Sequence, residues 1–192
     1  MINDRLNNDK LTKEEVKISK FISMVLRHRP EYIGLKLSKD GWANVYELIE
    51  KIKSKGKNID KDILDRVVLY NDKKRFSFNE NHTLIRANQG HSIDVDLEFE
   101  EKEPPYILFH GTSINNIDSI KKEGIKKMKR LHVHLSLTED IAKKVGERHG
   151  KPAIIKINAK QMYEDGIKFY LSENKVWLCD YVDSKYILGI IE

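Results

Sequence analysis

The sequence predicts an α+β protein of two domains, and three observations support this fold class. The chain has 192 residues, more than one small module needs. Helical periodicity and a hairpin fill its first half, whereas short apolar strands dominate its second half. An acidic run over residues 94–103 ends in Pro104-Pro105, which is typical of an extended connector. We therefore place one domain at residues 1–96, a linker at 97–105 and a second domain at 106–192.

The first domain is predicted to contain three helices and a hairpin. Thr12 and Glu15 form a capping-box pair at the start of the first helix, and Pro30 ends it. Apolar residues recur at helical spacing over residues 45–52 and 63–68, and strands are expected at 75–78 and 83–86. Three helices and a hairpin make up a winged helix, a common nucleic-acid-binding module, but many other small α+β domains share this composition.

The second domain is predicted to contain many short strands and two helices. One helix of about two turns ends at Gly124, and the other begins after the N-cap Thr138 and ends near Gly150. Strands are expected at residues 106–109, 132–136, 153–158, 167–171, 176–179 and 187–191. This pattern indicates a compact α+β domain built on a β-sandwich. No Gly-rich phosphate loop is present, which excludes Rossmann and P-loop domains.

The composition restricts the class of protein. Hydrophobic residues make up 40% of the chain, which is too many for a disordered protein. The 35 Lys and Arg against 30 Asp and Glu give a net charge of +5, which is basic but below that of a protein that coats nucleic acid. One cysteine excludes a disulfide framework. Residues 1–17 lack the apolar core of a signal peptide and no long apolar stretch follows, so we expect a cytoplasmic protein without membrane spans.

Four basic clusters are candidates for chemistry. They consist of Arg27, His28 and Arg29; Arg86 with His91; His110; and Arg148, His149 and Lys151. Cations at a helix C-terminus also offset the macrodipole, which accounts for the first and last clusters without any function. Arg86 is equally compatible with a solvated hairpin charge, and His110 with a core histidine.

A metal site is not expected. His132 and His134 share one face of a predicted strand and form a pair that zinc could bind, but the sequence offers no further ligand nearby. Cys179 lies in an apolar strand and is predicted to be buried rather than nucleophilic.

The motifs taken in order are more specific than any one of them. They are SKFISMVLRHRP at residues 19–30, IGLKL at 33–37, DGW at 40–42, RANQGHS at 86–92, LFHGT at 108–112, HVHLS at 132–136, VGERHGKP at 145–152 and VWL at 176–178. This ordered set closely resembles that of the RNA 2′-phosphotransferases, the KptA family, from about Ser19 to Tyr186.

The resemblance implies a fold and a reaction. The family joins a winged-helix-like lobe on the RNA side to an ADP-ribosyltransferase-like lobe that binds NAD⁺. The 2′-phosphate of RNA attacks C1″ of the nicotinamide ribose and expels nicotinamide, and O2″ of that ribose then attacks the linking phosphorus. The products are 2′-OH RNA and ADP-ribose 1″,2″-cyclic phosphate. The implied partners are NAD⁺ and a 2′-phosphorylated RNA, tRNA-like or other, and we expect a monomer without metal.

The resemblance also implies roles for individual residues. A basic tetrad drawn from both lobes is expected to hold the 2′-phosphate in the cleft between them: Arg27, His28, Arg86 and Arg148. The NAD⁺ site is expected at His110, Gly111, Thr112, His134, Ser136 and Val176, where Val176 stands at the position of a glutamate in protein-modifying relatives. Further contacts to phosphate are assigned to His91, His149 and Lys151. His28 is either a phosphate hydrogen-bond donor or a general acid, and either His132 or His134 faces NAD⁺.

Two other functions remain open at this point. An ADP-ribosyltransferase acting on nucleic-acid phosphates or on proteins would use the same NAD⁺ site and stop after the first step. A winged-helix nucleic-acid binder would consume no NAD⁺ and would show only salt-dependent binding.

Overall fold

The fold was obtained as a computed structural model that describes residues 10–192. The first part of the domain expected at residues 1–96, and more than half of the segment searched for a signal peptide, therefore lie outside the described residues. Helices and strands occur in both halves, which confirms the α+β class. The chain divides into two compact units, one ending at Glu98 and the other spanning Phe99–Glu192. No helix in residues 10–192 is both long enough and apolar enough to cross a membrane.

The described part of the first unit contains three α-helices and a three-stranded sheet. Its elements are α1 (Lys13–Arg27), β1 (Ala43–Asn44), α2 (Val45–Lys53), α3 (Lys61–Leu69), β2 (Phe76–Phe78) and β3 (Leu84–Ala87). The sheet is antiparallel in the order β1-β3-β2, with Arg86 of β3 opposite Ser77. The three helices and the hairpin agree with the sequence-based prediction, and β1 adds a short third strand.

The ends of α1 are fixed by side chains that the sequence pattern singled out. The capping box is present, since Thr12 Oγ1 accepts from the backbone of Glu15 and a carboxylate oxygen of Glu15 accepts from the backbone N–H of Thr12 at 2.7 Å. The other carboxylate oxygen of Glu15 lies 2.7 Å from Nε of Arg66 on α3. α1 ends at Arg27, and Pro30 begins a 3₁₀ turn. This helix therefore delivers Arg27 and His28 from a tightly fixed element.

The core of the first unit lies between the apolar helix faces and the sheet. Ile22, Leu48, Leu64 and Ile85 are fully buried in one continuous cluster. They come from each of the three helices and from β3, so a single core holds the elements that carry the candidate residues.

The second unit consists of short strands in three sheets with three α-helices among the described residues. Its elements are β4 (Ile107–Ser113), α4 (Ile117–Glu123), β5 (Ile125–Lys126), β6 (Val133–Leu135), α5 (Glu139–Gly146), β7 (Pro152–Asn158), α6 (Ala159–Glu164), β8 (Tyr170–Leu171), β9 (Trp177–Cys179), β10 (Tyr181–Val182) and β11 (Ile187–Ile191). The antiparallel sheets have the orders β11-β7-β4, β6-β9-β8 and β10-β5. A bridge between Phe109 and Ser136 links the first sheet to the second.

Helix α5 lies against β4 through two glycines. A Cβ atom built on Gly111 would lie 1.7 Å from the carbonyl oxygen of Ala142, and one on Gly146 would lie 2.6 Å from the carbonyl oxygen of Thr112. Real Cβ atoms essentially never approach so closely. Glycine at both positions therefore lets strand and helix backbones touch, which we call the glycine seam.

Several elements differ from the sequence-based prediction. β4 continues to Ser113, whereas β8 contains only Tyr170 and Leu171. α6 was not predicted, so the second unit has one more helix than expected. The last turn of the helix that begins at Glu139 is a 3₁₀ turn over Glu147–His149. Cys179 is buried as predicted, and burial raises the pKa of its thiol to about 12.

Candidate functional site

In the first unit, three of the candidate cations surround His91. Arg27 is the last residue of α1, His28 is its C-cap and Arg86 lies in the middle of β3. Burial first, and then the positive charges of Arg27, His28 and Arg86, lower the pKa of His91 to about 4. His91 is therefore neutral near pH 7, and its pKa reports that the three side chains meet at one place.

The segment that carries His91 is attached to the end of α1. The backbone N–H of Ser92 donates to the carbonyl oxygen of Arg27 at 2.9 Å, and its Oγ lies 2.9 Å from Nδ1 of His28. The first bond satisfies one of the carbonyls left free at the helix end. The second fixes the ring of His28, so Nε2 is the nitrogen that remains for a ligand.

His91 itself is almost completely buried, with 1% of its surface exposed. Neither ring nitrogen has a hydrogen-bond partner among the described residues. An imidazole without partners in a protein interior is unusual, since a buried polar group normally finds one. The ring thus forms a neutral floor beneath Arg27, His28 and Arg86, in contrast to the exposed phosphate contact that its position in the sequence implied.

Arg86 is held by an aromatic ring. Its guanidinium carbon lies 4.5 Å from the centroid of the Trp42 ring, within the range of a cation–π contact. The sequence marked Trp42 as part of a motif without giving it a role. The contact leaves the guanidinium half-buried and limits where it can point.

In the second unit, His110 is fixed by the backbone of β6. Its Nδ1 donates to the carbonyl oxygen of His134 at 3.0 Å. Burial lowers the pKa of His110, and the charges of Arg130 and His149 lower it further, although the hydrogen bond opposes them. His110 is therefore a neutral imidazole with its proton on Nδ1, and Nε2 is a hydrogen-bond acceptor.

Two arginines lie close together in the same unit. Nη1 of Arg130 is 3.4 Å from Nδ1 of His134, and desolvation and then the charge of Arg148 lower the pKa of Arg130. Within residues 10–192, no carboxylate lies within 4.0 Å of either arginine. Two neighbouring guanidinium groups without an acidic partner favour an anionic ligand.

The two histidines of β6 have different surroundings. His134 contacts Arg130, and its carbonyl oxygen holds His110. His132 packs edge-on against Phe99 and Tyr170, with ring centroids 6.1 Å and 5.7 Å away. His134 thus belongs to the group around His110, whereas His132 belongs to an aromatic cluster.

The other residues expected at an NAD⁺ site take several positions. Gly111 forms half of the glycine seam, and the hydroxyl of Thr112 is buried and accepts from Asn116 at 2.9 Å. The backbone of Ser136 pairs with that of Phe109. Val176 donates its N–H to Ser172 Oγ in a turn at the start of β9. His149 and Lys151 are exposed on the 3₁₀ turn and just beyond it.

Sequence reasoning missed Arg130 and Ser92 as members of these groups. Arg130 stands four residues before His134 in a stretch, residues 121–151, with ten Lys and Arg against four acidic residues. That local excess was the available signal, but it did not distinguish Arg130 from its neighbours. In the described residues, no group of three or more His, Cys, Asp or Glu side chains is arranged to hold a metal ion.

Comparison with known proteins gives a consistent result. The sequence model of a family described as "RNA 2'-phosphotransferase, Tpt1 / KptA family" matches residues 13–181. A protein of Fusobacterium nucleatum named "Probable RNA 2'-phosphotransferase" is 59% identical over 174 residues, which cover 90% of this chain and 97% of that protein. A protein of Flavobacterium johnsoniae with the same name is 58% identical over 170 residues, 88% of this chain and 93% of the relative. A third with that name, from Trichormus variabilis, is 49% identical over 173 residues, with coverage of 90% and 95%.

Proposed function

The chain belongs to the RNA 2′-phosphotransferase, Tpt1 / KptA family, and from this premise we propose that it transfers an internal 2′-phosphate from RNA to NAD⁺. It is therefore a transferase. The observation that carries the proposal is the grouping of Arg27, His28 and Arg86 around His91. We further propose that the first unit is a winged-helix-like RNA-side lobe and that the second is an ADP-ribosyltransferase-like lobe that binds NAD⁺.

The first step needs positioning more than it needs a base. A phosphate monoester carries a charge of about −1.5 to −2 near pH 7, so it reaches the enzyme as an ionised nucleophile. Arginine forks match phosphate oxygens in pairs, and holding reactants in line lowers the barrier by a large factor. Arg27 and Arg86 bind and aim the 2′-phosphate at C1″ of the nicotinamide ribose, and nicotinamide leaves.

The second step needs stabilisation of negative charge and a proton. As O2″ of the ribose attacks the linking phosphorus, charge grows on the non-bridging oxygens, where the arginines stabilise it. His28 reaches the same group through Nε2, because Ser92 engages Nδ1. There it serves either as a donor to phosphate or as the general acid that protonates the departing RNA 2′-oxygen.

The second unit supplies groups that suit a dinucleotide. Nε2 of His110 is an acceptor for a ribose hydroxyl, because Nδ1 is committed to the carbonyl of His134. Arg130 and Arg148 offer two forks to the diphosphate or to the transferred phosphate. The surroundings of His134 favour it over His132 as the histidine facing NAD⁺. The valine at Val176 adds no negative charge, which suits an incoming phosphate nucleophile.

The deciding experiment incubates an RNA with one internal 2′-phosphate together with NAD⁺ and follows both products. We expect 2′-OH RNA, nicotinamide and ADP-ribose 1″,2″-cyclic phosphate. Arg86→Ala is expected to lower kcat/KM at least about 100-fold, since it removes a donor to the transition state. Arg86→Lys keeps the charge without the fork and is expected to recover only part of the loss.

Other outcomes would replace the proposal. A stable ADP-ribosylated RNA or protein would show a transferase that stops after the first step. Salt-dependent RNA binding without NAD⁺ consumption would show a nucleic-acid binder. Normal turnover in a folded Arg86→Ala variant would remove the phosphate site from this position.

A further inference from the structure

We propose that a surface of the first unit, which we call the aromatic–basic patch, binds a base and backbone phosphates of the nucleotides beside the 2′-phosphate. The patch consists of Phe21, Arg29, Tyr32, Lys55 and Lys57. The inference rests on the proposed function, because it assigns the single-stranded RNA next to the reacting phosphate.

The two rings of the patch form a platform that cations surround. Phe21 and Tyr32 meet edge to face with centroids 6.2 Å apart and planes at 71°. Arg29 and Lys55 lie 5.6 Å and 5.3 Å from the centroid of the Tyr32 ring, and Lys57 lies 4.6 Å from that of Phe21. Tyr32 nevertheless keeps 47% of its surface exposed, so a planar group can reach the platform from solvent.

The charges of the patch differ from those of neighbouring lysines. On α2, Lys51 and Lys53 pair with Glu47 and Glu50 one helical turn away. No carboxylate of residues 10–192 lies within 4.0 Å of Lys55 or Lys57. The one acidic contact of the patch is Glu31, 3.6 Å from Nε of Arg29. An excess of cations around exposed rings is complementary to single-stranded nucleic acid.

The position of the patch relative to the 2′-phosphate site follows from α1. Phe21 and His28 are seven residues apart, which is two helical turns, so they lie on nearly the same face of α1 about 10 Å apart. Arg29 directly follows His28 in the chain. A strand whose 2′-phosphate contacts His28 therefore reaches the patch with an adjacent nucleotide.

The chemistry favours a base that is unstacked from its neighbours. Stacking of a base on an aromatic ring is stronger than a cation–π contact at an exposed site. A base that stacks on Tyr32 thus displaces Arg29 or Lys55 from the ring, and the released cation pairs with a backbone phosphate. Every base has a π-face, so the patch selects single-stranded RNA without selecting a sequence.

The test pairs a protein variant with an altered RNA. Tyr32→Ala is compared with wild type on an oligonucleotide with an internal 2′-phosphate and on the same oligonucleotide with abasic sites at both flanking positions. We expect Tyr32→Ala to raise the KM for the intact RNA about 10-fold with kcat unchanged. On the abasic RNA the two proteins are expected to have equal KM values, and Tyr32→Phe is expected to behave as wild type.

The controls come from other surfaces of the same unit. Tyr46 is 67% exposed on α2 and makes none of the patch contacts, so Tyr46→Ala is expected to leave KM unchanged. Lys55→Ala with Lys57→Ala is expected to reduce the salt dependence of RNA binding by about 0.7 in log–log slope per lost phosphate contact, whereas Lys13→Ala is not.

A readout without turnover separates this inference from the proposed function. Fluorescence anisotropy with the same RNAs in the absence of NAD⁺ is expected to show the same loss for Tyr32→Ala, and 5-iodouracil beside the 2′-phosphate is expected to crosslink to Tyr32. If wild type binds these RNAs but turns none over, the proposed function fails while the patch stands. If Tyr32→Ala matches Tyr46→Ala in both KM and anisotropy, or if crosslinks map elsewhere, the patch is overturned.

Discussion

His91 joins burial and electrostatics in one side chain. It is neutral because it is buried and because three positive groups surround it. A charged imidazole at this place would repel Arg27 and Arg86, whereas a neutral one packs under them without adding charge. Its role in the proposed reaction is thus to position the cations rather than to contact the phosphate.

The pH dependence of stability tests this description of His91. Its pKa falls from 6.5 to about 4 on folding, so the unfolded chain binds the proton first as the pH drops. The contribution of His91 to the free energy of unfolding is complete above pH 6.5 and is lost between 6.5 and 4, by at most about 3 kcal/mol. Urea unfolding from pH 7.5 to 4.5 is expected to show a flatter pH dependence for His91→Leu than for wild type.

The exposed His149 provides the comparison for that experiment. His149→Gln is expected to keep the wild-type pH dependence of unfolding, because that side chain lies at the surface. Equal slopes for His91→Leu and wild type would contradict the environment described for His91.

Arg130 is the residue whose proposed role can be separated most clearly from RNA binding. If Arg130 binds the diphosphate of NAD⁺, Arg130→Ala is expected to raise the KM for NAD⁺ about 10-fold or more, because it removes a charge-assisted hydrogen bond. The KM for RNA is expected to stay unchanged. Steady-state kinetics with each substrate varied in turn measure both constants, with Lys129→Ala, an exposed neighbour, as the control. A rise in the KM for RNA alone would place Arg130 on the other substrate.

At the scale of elements, the glycine seam makes a strong prediction. Gly111→Ala places a Cβ within 1.7 Å of the Ala142 carbonyl oxygen, so β4 and α5 must separate. We expect a loss of about 3 kcal/mol or more in the free energy of unfolding, at the upper end for overpacking. Gly189→Ala is the matched control, because a Cβ there meets nothing within 4 Å. Chemical denaturation of both variants checks this, and equal stability would refute the seam as a tight contact.

Local signals predicted those elements whose ends carry a chemical mark. The Thr12–Glu15 box and the N-cap Thr138 gave the starts of α1 and α5, and both caps are confirmed. α6 was missed because its six residues follow β7 directly and bury only Ala159 and Met162, too few to show a period. β8 is shorter than predicted because the carbonyl of Phe169 accepts from Lys102, in a segment far away in sequence.

The site was predictable to the extent that motifs name residues. The sequence pointed to Arg27, His28, Arg86 and His110, and the structure brings the first three together in the first unit. It did not show that His91 is buried or that Arg130 lies beside Arg148, since both depend on tertiary packing. Pairing of Nδ1 of His110 with a backbone carbonyl likewise leaves no trace in a sequence.

For the whole molecule, the joint action of the four tetrad residues stays a prediction that rests on the resemblance. A double-mutant cycle of Arg86→Ala and Arg148→Ala tests it through kcat/KM. Side chains that act on the same phosphate are expected to couple by about 0.5–3 kcal/mol, so the double variant loses less than the product of the single losses. The pair Arg86→Ala and Lys143→Ala, with Lys143 exposed on α5, is expected to be additive. Additive losses for Arg86 and Arg148 would separate their roles.

The glycine seam also bears on how the second unit meets its ligand. Strand β4, which carries His110, and helix α5, which leads into Arg148, already touch backbone to backbone before anything binds. Little conformational entropy is then left to lose at this point when a ligand arrives. The second unit is preorganised here, so discrimination between nucleotides would reside in the shape of a rigid frame rather than in a rearrangement.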